Sequence, residues 1–344
     1  MDKTEKPIVG ITIGDYNGIG PEIIIKTLSD RRFIQSVTPV IYGHSKVISY
    51  YRKVLNEKHF NFEQIKSIGE VNPKRVNVIN CWNESVEVNS GNPTEDSGKH
   101  AIDALKMCVE DAKSGKINSI VTAPISKKNA QSSDFAYPGH TEYLTESFGI
   151  KESLMLLMYE NFRVGVVTGH IPLAEVSSTI TKELIINKLK VLYKTLKDQF
   201  GINKPKIAVL GLNPHAGEEG LLGKEEEEII QPAIQEFKQD GKIVIGPIPA
   251  DGYFGTAQYR NYDATLAMYH DQGLIPFKTL AFETGVNFTA GLPIPRTSPD
   301  HGTAFSIAGK NKADTTSFRA AMLVASDICC RKNSVKLEFP ELSY

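Results

Sequence analysis

The sequence has little of what marks several large protein classes. Its four cysteines, Cys81, Cys108, Cys329 and Cys330, are too few and too irregularly spaced for a disulfide framework. Reduced thiols in a cytoplasmic protein are therefore expected. Excess charge of either sign is missing, since 39 basic side chains face 40 acidic ones. That balance argues against a nucleic-acid scaffold or a membrane-surface protein, which carry a basic surplus. Neither nucleic acid nor membrane is an expected partner. No run approaches the roughly 18 apolar residues that span a bilayer. The opening stretch, Met1 to Pro7, lacks the apolar core of a signal peptide. Internal repeats and low-complexity linkers are also absent.

What is present is alternation. Short β-branched runs, such as Ile8 to Ile13, Val37 to Tyr42, Leu154 to Tyr159, Arg163 to Thr168 and Lys206 to Leu210, are interleaved with amphipathic segments. The latter include Pro21 to Ser29, Ser97 to Lys113, Lys182 to Phe200, Lys224 to Gln239 and Thr315 to Cys330. Such alternation predicts an α/β fold with a largely parallel sheet covered on both faces. A length of 344 residues suggests two lobes. The broken stretch from Ala123 to Gly139, and the prolines Pro293, Pro295 and Pro299, suggest the crossings. One lobe then takes 1–130 plus about 300–344 and the other about 131–299, together forming one integrated catalytic unit. The run Glu225 to Glu228 reads as the acidic first turn of a helix rather than a metal site.

Three histidines follow strand-like runs in settings rich in small, turn-forming or acidic residues. They are His170 in TGHIP, His215 in LNPHAGE and His270 in MYHDQG. Ligands of open α/β sheets sit just past the carboxyl ends of strands. Neutral imidazole is a common metal ligand, and three protein ligands leave a position open for a substrate. Each histidine alone reads better as a locally hydrogen-bonded side chain. At three strand ends, with no rival Cys or carboxylate cluster, the joint expectation is one divalent metal ion.

Two further constellations carry chemistry. The glycine cluster GDYNGIGPE, with Gly14 and Gly18, follows a strand and opens a helix, which permits close backbone approach to an anionic cofactor. It does not match the dinucleotide fingerprint G-x-G-x-x-G, and Pro21 has a separate reading as a helix starter. An anionic substrate is suggested by His140 and Thr141 in PGHTE, and by Lys278, Asn287 and Arg296. Those last three stand nine residues apart in an apolar, glycine-rich setting. Lys and Arg recognise phosphate or carboxylate through charge-assisted hydrogen bonds. Asp300 and His301, in RTSPDHGTA, join Gly14 and Gly18 as candidate cofactor contacts.

The ordered set GDYNGIGPE, TAPISK, GHTE, TGHIPL, LNPHAGE, GPIPAD, AMYHDQGL, GVNFTAGLP and RTSPDHGTA resembles the 4-hydroxythreonine-4-phosphate dehydrogenase family, from about Ile8 to Arg319. The resemblance implies a two-lobed α/β/α architecture of the isocitrate/isopropylmalate dehydrogenase-like type, with the active site between lobes. It implies oxidation of 4-phosphohydroxy-L-threonine by NAD or NADP, then decarboxylation to 3-amino-2-oxopropyl phosphate, in pyridoxal phosphate (vitamin B6) biosynthesis. By matching position, His170, His215 and His270 would hold the metal (Zn, Mg, Co or Mn). His140, Thr141, Lys278, Asn287 and Arg296 would contact the substrate. A homodimer with shared active sites is also implied. Thr279 to Thr284 (TLAFET) and Pro299 depart from the family's expected form.

A metal on the substrate hydroxyl would lower its pKa and then polarise the new carbonyl. Lys278, Asp251 and Asp271 are the candidate general bases, although either aspartate could instead orient a ligand histidine. The nearest alternative is a sister dehydrogenase acting on erythronate or threonate 4-phosphate. A phosphate acetyltransferase-like enzyme would need no three histidines, and a sugar-phosphate sensor would show no turnover.

Overall fold

The computed structural model describes residues 6–131, 135–239 and 241–333. Among them run twelve strands: β1 (Ile8–Thr12), β2 (Thr38–Gly43), β3 (Phe62–Ile65), β4 (Val76–Asn80), β5 (Ser119–Thr122), β6 (Leu154–Tyr159), β7 (Phe162–Val166), β8 (Lys206–Leu210), β9 (Ile243–Ile248), β10 (Ala264–Ala267), β11 (Val286–Ala290) and β12 (Arg296–Pro299). Helices alternate with them. No helix among the described residues is long and apolar enough to cross a membrane.

The chain divides into two compact units. Among described residues, the first takes 6–149 and 293–333 and the second takes 150–292. The crossings thus fall about twenty residues after 130 and several before 300. Residues 135–149 stay with the first unit, where Leu144 is fully buried and Tyr143 lies in the field of Glu110 and Lys113. Residues 293–299 stay there because β12 pairs in parallel with β5, Arg296 opposite Ile120. His140, Thr141 and Arg296 therefore share the first unit with Gly14, Gly18, Asp300 and His301.

In the first unit the strand order is β3-β4-β2-β1-β5-β12, parallel throughout. The helix Glu95–Lys113 packs on β1 because Gly10 has no side chain. A Cβ there would meet Ile117 at 2.6 Å and Cys108 at 2.9 Å. Thr94 and Ser97 close a reciprocal cap at its start, and Glu95 and Asp96 oppose its dipole.

In the second unit the order is β11-β6-β7-β10-β8-β9. The neighbours β7, β10, β8 and β9 are parallel, whereas β6 runs antiparallel to both β7 and β11. Its core gathers Leu157, Val164, Val166, Leu210, Tyr253, Leu274 and Phe277. Several elements lie outside the sequence reading: β3, β11, β12 and the helix His270–Ala281. The segment expected as one helix over 224–239 is a π-helical turn, Glu226–Ile230, followed by an α-helix, Gln231–Lys238.

Candidate active site

The three histidines stand at the carboxyl ends of three adjacent parallel strands. His170 follows β7, His270 follows β10 and His215 follows β8. Two side chains stitch these ends together. Thr168 Oγ1 donates to the Met268 carbonyl at 2.9 Å. Gln272 accepts from the Met268 backbone N–H at 2.7 Å and donates to the Gly211 carbonyl at 2.6 Å. The helix opening at His270 lies down on β7 because position 273 is glycine. A Cβ there would meet Val164 at 2.8 Å and both Ala267 and Val166 at 3.2 Å.

This packing brings the His170 and His270 rings to 5.4 Å between centroids, inclined at 47°. An open cavity of about 420 Å³ lies over them, lined also by Gly169, Tyr269 and Asp271. His270 Nδ1 lies 2.7 Å from Asp271 Oδ1. When that nitrogen donates its proton, Nε2 carries the lone pair that a cation takes. Asp271 thus touches a histidine rather than standing apart as an isolated base. The structure does not add His215 to the pair: no group of three His, Cys, Asp or Glu side chains placed to hold a metal occurs among the described residues. Two imidazoles with an oriented carboxylate are suited to a divalent cation, and a third imidazole stands at the next strand end.

His215 owes its place to an unusual loop. Residues 215–220 all have positive φ, including the non-glycines His215 (53°), Ala216 (51°), Glu218 (44°) and Glu219 (54°). Left-handed backbone costs a residue with a side chain about 1–2 kcal/mol, so something must hold it. Buried Glu226 does. Its Oε1 accepts the Leu212 and Asn213 backbone N–H groups, both at 2.7 Å, and its Oε2 accepts the Asn213 side-chain amide at 2.9 Å. Gly217 leaves the space this carboxylate fills; a Cβ there would meet Glu226 Oε2 at 2.7 Å. Glu225 adds a bond from the Asn213 side-chain amide at 2.7 Å. The acidic run is therefore more than a helix start, because its second member anchors residues thirteen and fourteen positions back along the chain.

The remaining candidates of the second unit are spread over it. Lys278 is half-buried two turns along the helix from His270. Asn287 lies on β11, opposite Leu157, with its Oδ1 buried and unbonded. Asp251 is exposed in the helix Ala250–Gly255, just past β9.

In the first unit, Arg296 is 2% exposed and its Nη2 donates to Thr122 Oγ1 at 2.6 Å. Burial lowers its pKa to about 10, partly countered by Glu142, so it stays cationic at neutral pH. His140, first residue of the helix His140–Ser147, has its pKa held well below the usual histidine value by burial, then by Arg296 and Lys127. It is a neutral imidazole, and its Nε2 is buried without a hydrogen-bond partner. Thr141 is half-exposed beside it. A cation and a neutral imidazole in one unit form an environment for an anionic group.

The glycines of the first loop have a packing role. A Cβ on Gly14 would meet the Pro124 carbonyl oxygen at 2.3 Å, and one on Gly18 the Thr303 carbonyl oxygen at 2.7 Å. The faces they leave open are filled by the chain's own backbone. The Asp300 backbone N–H donates to Ser317 Oγ at 3.0 Å. His301 Nδ1 lies 3.1 Å from the Gly302 carbonyl oxygen, and its Nε2 is buried without a hydrogen-bond partner.

These features coincide with a known pattern. The model of the family described as pyridoxal phosphate biosynthetic protein PdxA matches residues 35–325. The chain belongs to this family. A relative from Bacteroides thetaiotaomicron, named 4-hydroxythreonine-4-phosphate dehydrogenase, is 51% identical over 321 residues, 93% of this chain and 88% of that protein. A solved 4-hydroxythreonine-4-phosphate dehydrogenase from Klebsiella pneumoniae superposes with a TM-score of 0.84 at 35% identity, covering 95% of this chain and 99% of its own. A protein of Oceanobacillus iheyensis, provisionally named a D-threonate 4-phosphate dehydrogenase, is 41% identical and covers 96% of this chain and all of its own length. The protein is an oxidoreductase of the PdxA family, with the mixed α/β fold of the isocitrate/isopropylmalate dehydrogenase-like type.

Proposed function

We propose that this PdxA-family chain oxidises 4-phosphohydroxy-L-threonine with NAD or NADP and then releases carbon dioxide, giving 3-amino-2-oxopropyl phosphate for vitamin B6 synthesis. The observation that carries the reading is the set of three histidines on adjacent parallel strand ends, in a chain of this family. His170, His215 and His270 would hold a divalent ion (Zn, Mg, Co or Mn), which would supply Lewis acidity at the substrate hydroxyl. Asp271 orients His270, and Glu226 fixes the loop that carries His215. Arg296, neutral His140 and Thr141 bind the phosphate, with Lys278 and Asn287 completing the substrate contacts. Lys278 and Asp251 are the candidates to take the hydroxyl proton as hydride passes to the nicotinamide. Asp300 and His301 are candidate cofactor contacts.

We further propose that the metal set is completed across a homodimer. Large apolar side chains of the second unit stand in the open: Leu173, which lines the cavity over His170 and His270, is 74% exposed, Leu221 76%, Ile275 63% and Phe282 71%. Exposed apolar surface of this kind, where it is contiguous, suits a face that a partner covers. Mixing inactive subunits tests it. If one histidine comes from the neighbour, either His170→Ala with His270→Ala or His170→Ala with His215→Ala should regain an intact site. Silence of both mixtures, with subunit exchange verified, rejects sharing.

A sister activity on threonate 4-phosphate is favoured by the relative from Oceanobacillus iheyensis and by the unusual TLAFET run over 279–284. One assay separates the readings: nicotinamide reduction with 4-phosphohydroxy-L-threonine, threonate 4-phosphate and erythronate 4-phosphate, after chelation and addition of defined metals. Faster turnover of a phosphosugar acid would replace the first reading by the second.

A further inference from the structure

At the amino ends of β1, β3 and β4, opposite to the strand ends that carry ligands in such sheets, the first unit has a cavity of about 540 Å³. Lys6, Arg31, His59, Lys74 and Arg75 line it, and among the described residues no Asp or Glu does. The Lys6 ammonium is fixed there by the carbonyl oxygens of Ile34 (2.8 Å) and Pro73 (3.2 Å), which hold it without neutralising it. Among the described residues the side chains of Arg31, Lys74 and Arg75 make no hydrogen bond or ion pair. Their neighbour Arg32 shows the contrast, since it is paired with Asp30 at 2.7 Å. In a chain of net charge −1, four cations around one concavity, one of them fixed and three exposed and unpaired, are a local excess. They repel one another until an anion enters.

We propose that this cavity is a binding site for a phosphate dianion, free or esterified, distinct from the residues assigned to catalysis. Lys and Arg around a concave pocket recognise phosphate by charge-assisted hydrogen bonds. Asn61 and Gln35 add neutral polar groups, and Ile34 and Phe60 an apolar wall. The volume falls in the range of pockets that take small organic ligands. An ester therefore has room for its organic part.

The test uses the intact chain and His59 as a reporter inside the cavity. Its imidazole resonances are followed by NMR while inorganic phosphate, phenyl phosphate or sodium chloride is added at constant ionic strength. Saturable shifts with either phosphate and none with chloride are expected. Tighter binding of phenyl phosphate identifies an ester as the ligand, and tighter binding of inorganic phosphate identifies the free ion. Arg31→Ala/Arg75→Ala should weaken the binding by about tenfold or more while leaving the melting temperature and turnover near those of the parent. Failure of both phosphates to move His59, or equal affinity in the double variant, overturns the proposal. Because the readout lies at His59 and not in turnover, it stands or falls independently of the catalytic assignment.

Discussion

Two glycine-rich loops that follow sheet strands are held by opposite means. The loop after β1, residues 13–20, is laced by backbone. Ile13 N–H donates to Tyr42, Asp15 N–H to Pro124, Ile19 N–H to Thr303, and the Asn17 carbonyl accepts from Gly91, all within 3.0 Å. Its glycines sit where a Cβ would strike a carbonyl oxygen. The loop after β8, residues 211–223, hangs largely on one carboxylate, Glu226, and carries a left-handed run over 215–220. A loop fixed at many points is scaffold. A strained loop held chiefly by side chains, Glu226 foremost, is where a functional side chain such as His215 is presented.

Breaking the first loop should have the largest effect. Gly14→Ala adds a Cβ 2.3 Å from the Pro124 oxygen at a φ of +68°. Left-handed strain of about 1–2 kcal/mol and overpacking of about 1–3 kcal/mol act together, against a total stability of about 5–15 kcal/mol. The expected outcome is a large fall in the urea midpoint or failure to accumulate folded protein. An unchanged midpoint would show that the first loop is not scaffold. Breaking the second loop should act on function first. Glu226→Gln keeps the shape but loses charge and one acceptor facing the Asn213 amide. Turnover and metal affinity should fall about 10- to 100-fold, as for groups that orient a metal ligand, with a smaller change in midpoint than Gly14→Ala. Titration of zinc into the chelated variant, followed by calorimetry, reads the metal arm without turnover. Unaltered affinity and turnover would remove Glu226 from the site.

The contrast also explains what was legible in the sequence. Strand-end positions of His170, His215 and His270 could be read because β7, β8 and β10 are short apolar runs ending in turn-formers. The helix His270–Ala281 could not, since Gly273 and Pro276 lie inside it and both are poor helix residues in isolation. Tertiary packing of Gly273 on Val164 overrides that preference. β11 and β12 were hidden among glycines and prolines, which moved the expected second crossing past Arg296. Glu226 was visible only as part of an acidic run; its partners, Leu212 and Asn213, lie across the loop, and no local pattern announces such a reach. The glycines of the first loop fit ligand approach and a structural role equally well in sequence; the atoms that decide for packing belong to Pro124 and Thr303, more than a hundred residues away.

Acid should separate the loops next, with an intermediate effect. Tyr16 in the first loop faces Trp82 and His100 at 6.1 and 6.0 Å, Trp82 stacks on His100 at 4.3 Å, and His44 tilts against Trp82 at 5.5 Å. Burial is the main cause that holds both histidines below the usual value. The unfolded chain then takes up their protons first as pH falls. Stability from these groups is full above about pH 6.5, the unfolded value, and is lost toward the lower folded values, by at most about 1.4 kcal/mol per pH unit for each proton. Urea midpoints followed by fluorescence of Trp82, the single tryptophan, should drop between pH 7 and 5. The slope should be shallower in His100→Gln; equal slopes would discard the stack as the cause.

The smallest effect belongs to the second loop, and the same change to glycine should carry the opposite sign in the first. Glu219 is exposed, with φ at 54°, so Glu219→Gly removes left-handed strain while adding freedom to the unfolded chain. The first term is the larger, and a gain of about 0.5–1 kcal/mol is expected. In the first loop Ile19 has φ at −79° and is buried, so glycine there relieves nothing and removes a packed side chain. Ile19→Gly should therefore lower the urea midpoint where Glu219→Gly raises it. A fall in both would mean that the 215–220 run is not under strain, and that Glu226 merely decorates a loop content with its own conformation.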